Sequence, residues 1–481
     1  MDKKSFGILP VTCHTKHVGL GTTFVAIRGM KQDGVSFIPQ ALRQGATTIV
    51  VEKSAIIDDA TRVLMEQAHS NVQYVDNARL ALARLSAQVH QYPARELRII
   101  AVTGTKGKTT TTFLIEHILR QAGYVTALLS TVKNRIVTTE YETELTTQQP
   151  DYIHAFLRDC VKQGVEYVVM EVAAQAFSLH RTADIIFDCG LFLNFDQEHG
   201  EFYATQEDYF AAKASLFDQL KKGAYVILNQ YNAKINALVP YCIEQGLIPR
   251  FFMKTEEESA TKGRQTTLQG IRFEYDGVQY NCPALVGDFN NNNARAAITC
   301  VSSMGVSSGV IQQALLTFEG VPGRLDKYVL AHGALAFIDY AHNPSSFESV
   351  LKVMKMTGRH VIAVFGAGGD RDASKRPLMG NIATQYADQI ILTMDNPRSE
   401  DPGAIIQDIM QGISAQMMHK VLIELDRAQA IKNAYHLATP MSIIMLLGKG
   451  PDEYQIIKGE KIYFSEREIL RSLGVKSECI I

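Results

Sequence analysis

The segment that most constrains this chain runs from Leu97 to Ala122. It opens on Leu97-Arg-Ile-Ile-Ala-Val-Thr103, an apolar, β-branched run that reads as a buried strand. Gly104-Thr-Lys-Gly-Lys-Thr-Thr110 follows directly, and a helical pattern extends from about Thr109 to Ala122. Strand, glycine loop and helix in that order make a phosphate cradle. Glycines let backbone N–H groups approach an anion, and the helix N-terminus adds a favourable dipole. Lys108 is placed to neutralise β- and γ-phosphates, and the Thr109 hydroxyl to ligate Mg²⁺. The generic loop G-x-x-x-x-G-K-[ST] would need a glycine at position 102, which is Val102, so this is the shorter T-G-T-x-G-K-T-T form. A chance glycine turn before a helix is the competing reading. The three parts standing in register weigh against it.

Around this segment the pattern divides into three blocks. Residues 1–93 hold a β–α–β rhythm: Thr23–Arg28, an amphipathic stretch at 37–44, then Gly45–Val51. Tyr92-Pro-Ala-Arg95 reads as a linker, because Pro93 disfavours helix at Tyr92. Residues 94–321 alternate strand and helix, with further β-like runs at Tyr167–Val172, Cys189–Asn194 and Ala224–Asn229, and an antiparallel-looking stretch from Thr267 to Pro283. Residues 322–481 carry short buried strands at Ala334–Asp339, Val361–Phe365, Gln389–Met394, Lys420–Glu424 and Ser442–Leu447. Alternation of this kind predicts parallel sheets covered on both faces. The expected fold is therefore α/β, with three domains in series. The middle one is a P-loop ATPase with a parallel sheet, and the last is a Rossmann-like unit.

Length supports this division, since 481 residues exceed one hydrophobic core. A net charge of −2 gives no basic footprint for nucleic acid. Neither a signal peptide nor an 18-residue apolar window is read, so a cytoplasmic protein without membrane contact is expected. The seven cysteines are odd in number and never in a CxxC pair, which fits reduced thiols better than zinc or disulfides. Cys189 lies in an apolar run and reads as a buried small hydrophobe.

Further motifs follow the phosphate loop in order. They are Met170-Glu-Val172, Asn194 to His199, Tyr209-Phe-Ala-Ala-Lys213, Gly287-Asp-Phe-Asn290 with Asn293-Ala294, Pro322-Gly-Arg324, and Ile338-Asp-Tyr-Ala-His-Asn-Pro344. Together with Thr103–Thr110 they resemble the Mur ligases over nearly the whole chain. That resemblance implies ATP and Mg²⁺ as cofactors and a two-step reaction. A carboxylate takes the γ-phosphate to give an acyl phosphate, and an amino acid amine then displaces phosphate. It implies an ATP site at Gly104, Thr105, Lys106, Gly107, Lys108, Thr109, Thr110, Asn293, Arg324, Asp339, His342 and Asn343. It also implies metal ligands at Thr109, Glu171, His199 and a carbamylated Lys213, with Lys108, Lys213 and His199 as the catalytic set. Taken alone, Lys213 reads as a solvated helix face and His199 as a surface residue.

Within the family, Gly368-Gly-Asp-Arg-Asp372, Lys375-Arg-Pro377 and Asp395-Asn-Pro-Arg398 resemble the segments of members that add a diamino acid to UDP-N-acetylmuramoyl-L-alanyl-D-glutamate in peptidoglycan synthesis. The resemblance implies an amino acid site of Arg371, Asp395, Asn396, Arg398, Gly448 and Asp452. Arg398 offers a fork for the distal carboxylate of meso-diaminopimelate, which lysine lacks. Thr146, Thr147, Gln175 and Arg181 are the candidates for the UDP-peptide. All implied partners are small molecules, and a monomer is expected. Departures are equally plain. Gly448-Lys-Gly-Pro-Asp452 stands where the family has GKGHE, and Ala173-Ala174 where it has paired serines. His14-Thr-Lys-His-Val18 replaces DSRxV, Gln148-Gln-Pro150 follows the paired threonines, and Glu198-His199 replaces Asp-His. L-Lysine as the amino acid, or a paralog acting on another acid in the manner of folylpolyglutamate synthetase or another amide ligase, stays open. A regulator without catalysis would be expected to have lost Lys108, Glu171 or Lys213, and all three are present.

Overall fold

In the computed structural model the described residues are 3–29, 32–196, 202–253 and 267–475. The chain divides into two compact units: Met1–Lys262 with Asn292–Leu315, and Gly263–Asn291 with Leu316–Ile481.

The first unit holds two sheets. A small parallel sheet has the order β1 (Val11–Thr12), β2 (Thr23–Val25), β3 (Thr48–Glu52), β4 (Asn71–Val75). Side-chain alternation gives it two apolar faces. Phe24, Ile49 and Val51 pack with Ile38 and Ala41 of helix Ile38–Arg43, while Val25 and Val50 pack with Ala78 and Leu82 of helix Ala78–Val89. At the Tyr92–Pro93 junction, Tyr92 takes a left-handed φ of 51° before a short 3₁₀ turn.

The large sheet uses β5 (Arg98–Thr103), β6 (Thr126–Leu129), β7 (Asn134–Ile136), β8 (Thr139–Tyr141), β9 (Tyr167–Glu171), β10 (Phe187–Phe192), β11 (Leu220–Asn229) and β12 (Ile248–Met253). Their order is β12-β11-β10-β5-β9-β6-β7-β8. Strands β12 to β6 are parallel. The edge pair β7 and β8 runs antiparallel, an addition that the alternating pattern did not announce. β5 is central: the chain runs from it to β6 on one side, returns through β9 beside it, and then crosses to β10 on the other side. Ligands bind outside the carboxyl ends of strands at such a switch point. Cys189 is fully buried in β10, its sulfur 3.8 Å from that of Cys300.

The second unit contains the antiparallel hairpin β13 (Ile271–Tyr275) and β14 (Val278–Cys282), as the sequence suggested. Its main sheet has β15 (Asp326–Val329), β16 (Leu335–Asp339), β17 (His360–Phe365), β18 (Gln389–Leu392), β19 (Val421–Ile423) and β20 (Ser442–Leu447), ordered β15-β16-β20-β17-β18-β19. All pairs but β15–β16 are parallel. Both faces are covered. Phe337, Ala363, Phe365, Met445 and Leu447 pack with Phe347, Met379 and Ile409; Ile338, Ile362, Val364, Ile444 and Leu446 pack with Ala430, Ile431 and Leu470. That is why Ser-Ile-Ile-Met-Leu-Leu of β20 is apolar at successive positions rather than at alternate ones. A final hairpin pairs β21 (Tyr454–Ile457) with β22 (Glu460–Tyr463). Among the described residues no helix is long and apolar enough to cross a membrane.

Candidate active site

In the first unit the candidates gather at the carboxyl ends of β5, β6, β9 and β10. The loop Gly104–Gly107 leaves β5, and Gly107, rather than a capping side chain, opens helix Lys108–Gln121. Both glycines are needed as glycines. Gly104 has φ 152° with Leu193 Cβ 3.0 Å from where its own Cβ would stand; Gly107 has φ 83°, and a Cβ there would collide with the Asn293 amide oxygen. Asn293 is thereby placed against the loop, 186 residues from Gly107 by subtraction of their numbers.

The segment leaving β10 braces the loop. Asn194 Oδ1 accepts from the Lys106 amide at 2.8 Å, and Asn194 Nδ2 donates to the Lys106 carbonyl at 3.0 Å. Its own carbonyl takes the Thr105 amide at 3.0 Å, and Thr105 Oγ1 accepts from the Asp196 amide at 3.2 Å. Asn194→Ala leaves two backbone groups of the loop without these partners. We expect about 1–3 kcal/mol lost from loop order, read as weaker binding of a non-hydrolysable ATP analogue by calorimetry. Unchanged affinity would remove Asn194 from this role.

Two lysines converge on one carbonyl. Lys108 Nζ donates to Gly104 O at 2.9 Å and to Thr105 O at 3.0 Å; Lys213 Nζ donates to Gly104 O at 2.8 Å. Lys213 comes from helix Gln206–Ala214, is 1% exposed, and lies 4.5 Å from the Tyr209 ring centroid. The solvated-face reading of Lys213 is thus overturned: the helix turns it inward.

Glu171, at the end of β9, is also 1% exposed. Its Oε2 accepts from Thr109 Oγ1 at 3.2 Å and Thr131 Oγ1 at 3.0 Å, and its Oε1 from the Thr131 amide at 3.0 Å. Thr131 went unread in the sequence; it is an ordinary threonine after β6, and only the sheet order makes it a neighbour of Glu171. Thr131 Oγ1 also lies 3.1 Å from Thr146 Oγ1, the second hydroxyl at this place. Thr147 Oγ1 donates to Glu171 O and accepts from the Ala173 amide, both at 3.0 Å, while Arg181 Nη1 donates to Thr147 O at 2.8 Å. Burial and the nearby Arg79 charge pull the Arg181 guanidinium below its usual range. Thr110 is buried, and Gln175 is exposed on the short helix Ala174–Ser178. His199 lies outside the described residues.

In the second unit the candidates again sit at carboxyl ends. Asp339 ends β16; its two oxygens accept from the Leu325 and Ala341 amides at 2.7 and 2.8 Å. Burial pushes its carboxyl up, against the Arg324 charge and those amides. Arg324 stacks 4.7 Å from the Tyr340 ring centroid, His342 Nδ1 lies 2.7 Å from Tyr340 O, and Asn343 caps helix Pro344–Lys355 by accepting from the Ser346 amide.

The loops after β17, β18 and β20 form the amino acid candidate. Arg398 has a left-handed φ of 54° and donates through Nη1 to Gly369 O at 2.6 Å. Arg371 is exposed on the neighbouring loop. Asn396 Oδ1 takes the Ile456 amide at 3.0 Å and Lys449 Nζ at 3.3 Å, so its amide oxygen is spent on the protein. Lys449, fully buried, also lies 3.5 Å from Asp395. Gly448, at φ 105°, keeps the space beside Asp395 Oδ2. Burial pushes the Asp452 carboxyl up, with Lys449 opposing, and pushes the Lys449 ammonium down, with Asp395 opposing. Lys449 was not singled out in the sequence, although its place between two glycines of the Gly448–Asp452 loop was a signal.

Similarity to known proteins extends along nearly the whole chain. Residues 10–90 match the Mur ligase family catalytic domain, 102–301 the Mur ligase middle domain, and 323–450 the Mur ligase glutamate ligase domain. Two relatives named UDP-N-acetylmuramoyl-L-alanyl-D-glutamate--2,6-diaminopimelate ligase are similar along the chain. The one from Syntrophomonas wolfei is 35% identical, covering 98% of this chain and 95% of its own. The one from Aquifex aeolicus is 36% identical, covering 98% and 94%. A solved structure of a protein with that name is 27% identical with a TM-score of 0.63, covering 97% of this chain and 94% of that one. The MurF ligase of Thermotoga maritima in complex with ADP shares the fold at 18% identity, with a TM-score of 0.64 over 97% and 96% of the two chains. With matches of this extent in all three blocks, the chain belongs to the Mur ligase family.

Proposed function

We propose that this chain is an ATP-dependent ligase that joins meso-diaminopimelate to UDP-N-acetylmuramoyl-L-alanyl-D-glutamate. The observation that carries the reading is near full-length similarity to relatives bearing that activity in their names. Residues 1–93 then hold the uridine end, 94–321 bind ATP and 322–481 receive the amino acid. An enzyme fed by ATP and a UDP-linked precursor works in the cytoplasm, and we place it there as a monomer with small-molecule partners.

The chemistry follows from the charges. The dipeptide's terminal carboxylate attacks the γ-phosphorus, ADP leaves, and the acyl phosphate forms. The incoming amine then attacks the acyl carbon, phosphate leaves, and the amine proton passes to a base. Bringing two anions together needs concentrated positive charge. Lys108 supplies it at the loop, and Asn194 and Gly107 fix the amides around it. Mg²⁺ fits the donors present: the Thr109 hydroxyl and the Glu171 carboxylate, oxygen ligands already within 3.2 Å of each other. Bound there, it would screen phosphate charge. Lys213 would join this set after carbamylation, which turns an ammonium into an oxygen donor.

Arg398 is the proposed partner of the distal carboxylate, with Asp452 facing the distal ammonium. Arg398→Ala should reduce preference for diaminopimelate over lysine by about 1–3 kcal/mol, the worth of a charge-assisted pair. Competition between the two amino acids, with products weighed by mass spectrometry, checks this. An unchanged product ratio would take Arg398 out of the pocket, and a wild-type product carrying lysine would overturn the diaminopimelate assignment.

A further inference from the structure

Arg376 is 2% exposed at the start of helix Lys375–Tyr386, yet it is no isolated structural pair. Its guanidinium holds Glu400 bidentately, Nη1 to Oε2 at 2.8 Å and Nη2 to Oε1 at 2.9 Å. Nη1 also meets Asp408 at 2.9 Å, and Nη2 donates to Gly368 O at 3.2 Å. Glu400 Oε1 accepts in turn from the Asp370 amide at 2.5 Å. The Asp370 carboxylate accepts from Ser399 Oγ at 2.5 Å, Gly369 N donates to Asn396 O at 2.9 Å, and Arg398 Nη1 donates to Gly369 O.

Two loops are thus laced together, 368–371 and 396–400. Each contains a non-glycine residue in the left-handed region, Asp370 at φ 52° and Arg398 at φ 54°. Such residues persist only where their surroundings over-determine them. A Cβ on Gly369 would collide with Pro397 O, so the loops touch backbone to backbone. Glu400 is the one carboxylate in this network that both grips the buried Arg376 and fixes the backbone of the Arg371 loop. Asp408 grips the same guanidinium from helix Pro402–Met410, and among the described residues its other hydrogen bond is to Gln411, away from both loops.

We propose that Glu400, clamped by Arg376, is a positioning residue for amino acid selection: it holds the Arg371 and Arg398 loops in the register that presents both guanidinium groups to one carboxylate. This rests on the diaminopimelate reading above. The geometry distinguishes it from a stability role, because Glu400 and Asp408 share the guanidinium but, among the described residues, only Glu400 of the two touches the loop.

The test compares Glu400→Gln with Asp408→Asn in the full-length protein, after the wild type has been shown to turn over diaminopimelate. Misplacement of a supporting contact by a fraction of an ångström to an ångström costs up to about 100-fold. We expect Glu400→Gln to raise the diaminopimelate KM by about tenfold or more, with the KM for ATP unchanged and kcat altered less than KM. Asp408→Asn should lower Tm comparably and leave every KM in place. An unchanged diaminopimelate KM in Glu400→Gln, or equal increases in both variants, would overturn the positioning role alone. A wild type inert toward diaminopimelate would overturn the role together with the reading beneath it.

Discussion

Lys108→Ala abolishes ATP-dependent phosphate release, by about 10³-fold or more, while Tm stays within a degree or so of wild type. The magnitude is that of removing a preorganised charge from the place where transition-state charge develops. The stability expectation follows from where the lysine points. Its ammonium makes hydrogen bonds to Gly104 O and Thr105 O, and the lysine is only part-buried at the mouth of the loop. The loop keeps its brace through Asn194, and β5 keeps its neighbours on both sides. Phosphate release and calorimetric melting decide the matter together. Turnover near the wild-type rate would refute the phosphate-loop assignment, and a large drop in Tm would make the lysine a structural group.

Glu466→Ala is the second large effect, and it falls on stability. Arg427 and Glu466 are 0% and 1% exposed and paired at 2.9 Å. Arg427 Nη2 also donates to Leu447 O at 2.8 Å, the last residue of β20, directly before the loop that carries Gly448. Removing Glu466 leaves a buried guanidinium without its anion, a change that typically costs about 3–5 kcal/mol. Amides of β18 and β20 should then exchange with deuterium about 10²–10³-fold faster. Because two buried charges are expensive to desolvate even when paired, Arg427→Met with Glu466→Leu should recover much of the loss. A single variant with wild-type exchange would mean that the pair contributes little to holding the sheet's carboxyl edge.

Much of the fold was legible because it is written locally. Buried parallel strands such as Ile99–Val102 and Ile443–Leu447 are covered on both faces, so their apolar runs are unbroken. The weak elements escaped for equally physical reasons. β4 is largely exposed and lacks an apolar run, and β7 and β8 are three residues each. The motifs placed Lys108, Glu171, Lys213 and Arg398 among the candidates; in the first unit the sheet order β10-β5-β9-β6 explains why loops so distant in sequence share a carboxyl edge, while Arg398 follows β18 of the second unit's own sheet. What sequence could not disclose were the groups acting through others. Thr131, Arg376, Glu400, Arg427 and Lys449 find their partners across the fold, and no local spacing encodes those pairings. Asn396 differs from its expected role as well: its amide oxygen accepts from Ile456 and Lys449. That leaves it better suited to shaping the Arg398 loop than to receiving an ammonium.

The most direct measurement is phosphate release from ATP by the purified protein with Mg²⁺ and UDP-N-acetylmuramoyl-L-alanyl-D-glutamate, supplied with meso-diaminopimelate, L-lysine or no amino acid. Sustained release is expected with diaminopimelate, and little with lysine or with neither. Release that depends on lysine would contradict the role given to Arg398. No release with either amino acid would contradict the proposed substrate, and would turn attention to Ala173, Ala174 and the His14–Val18 segment as the places where this chain departs from its relatives' pattern.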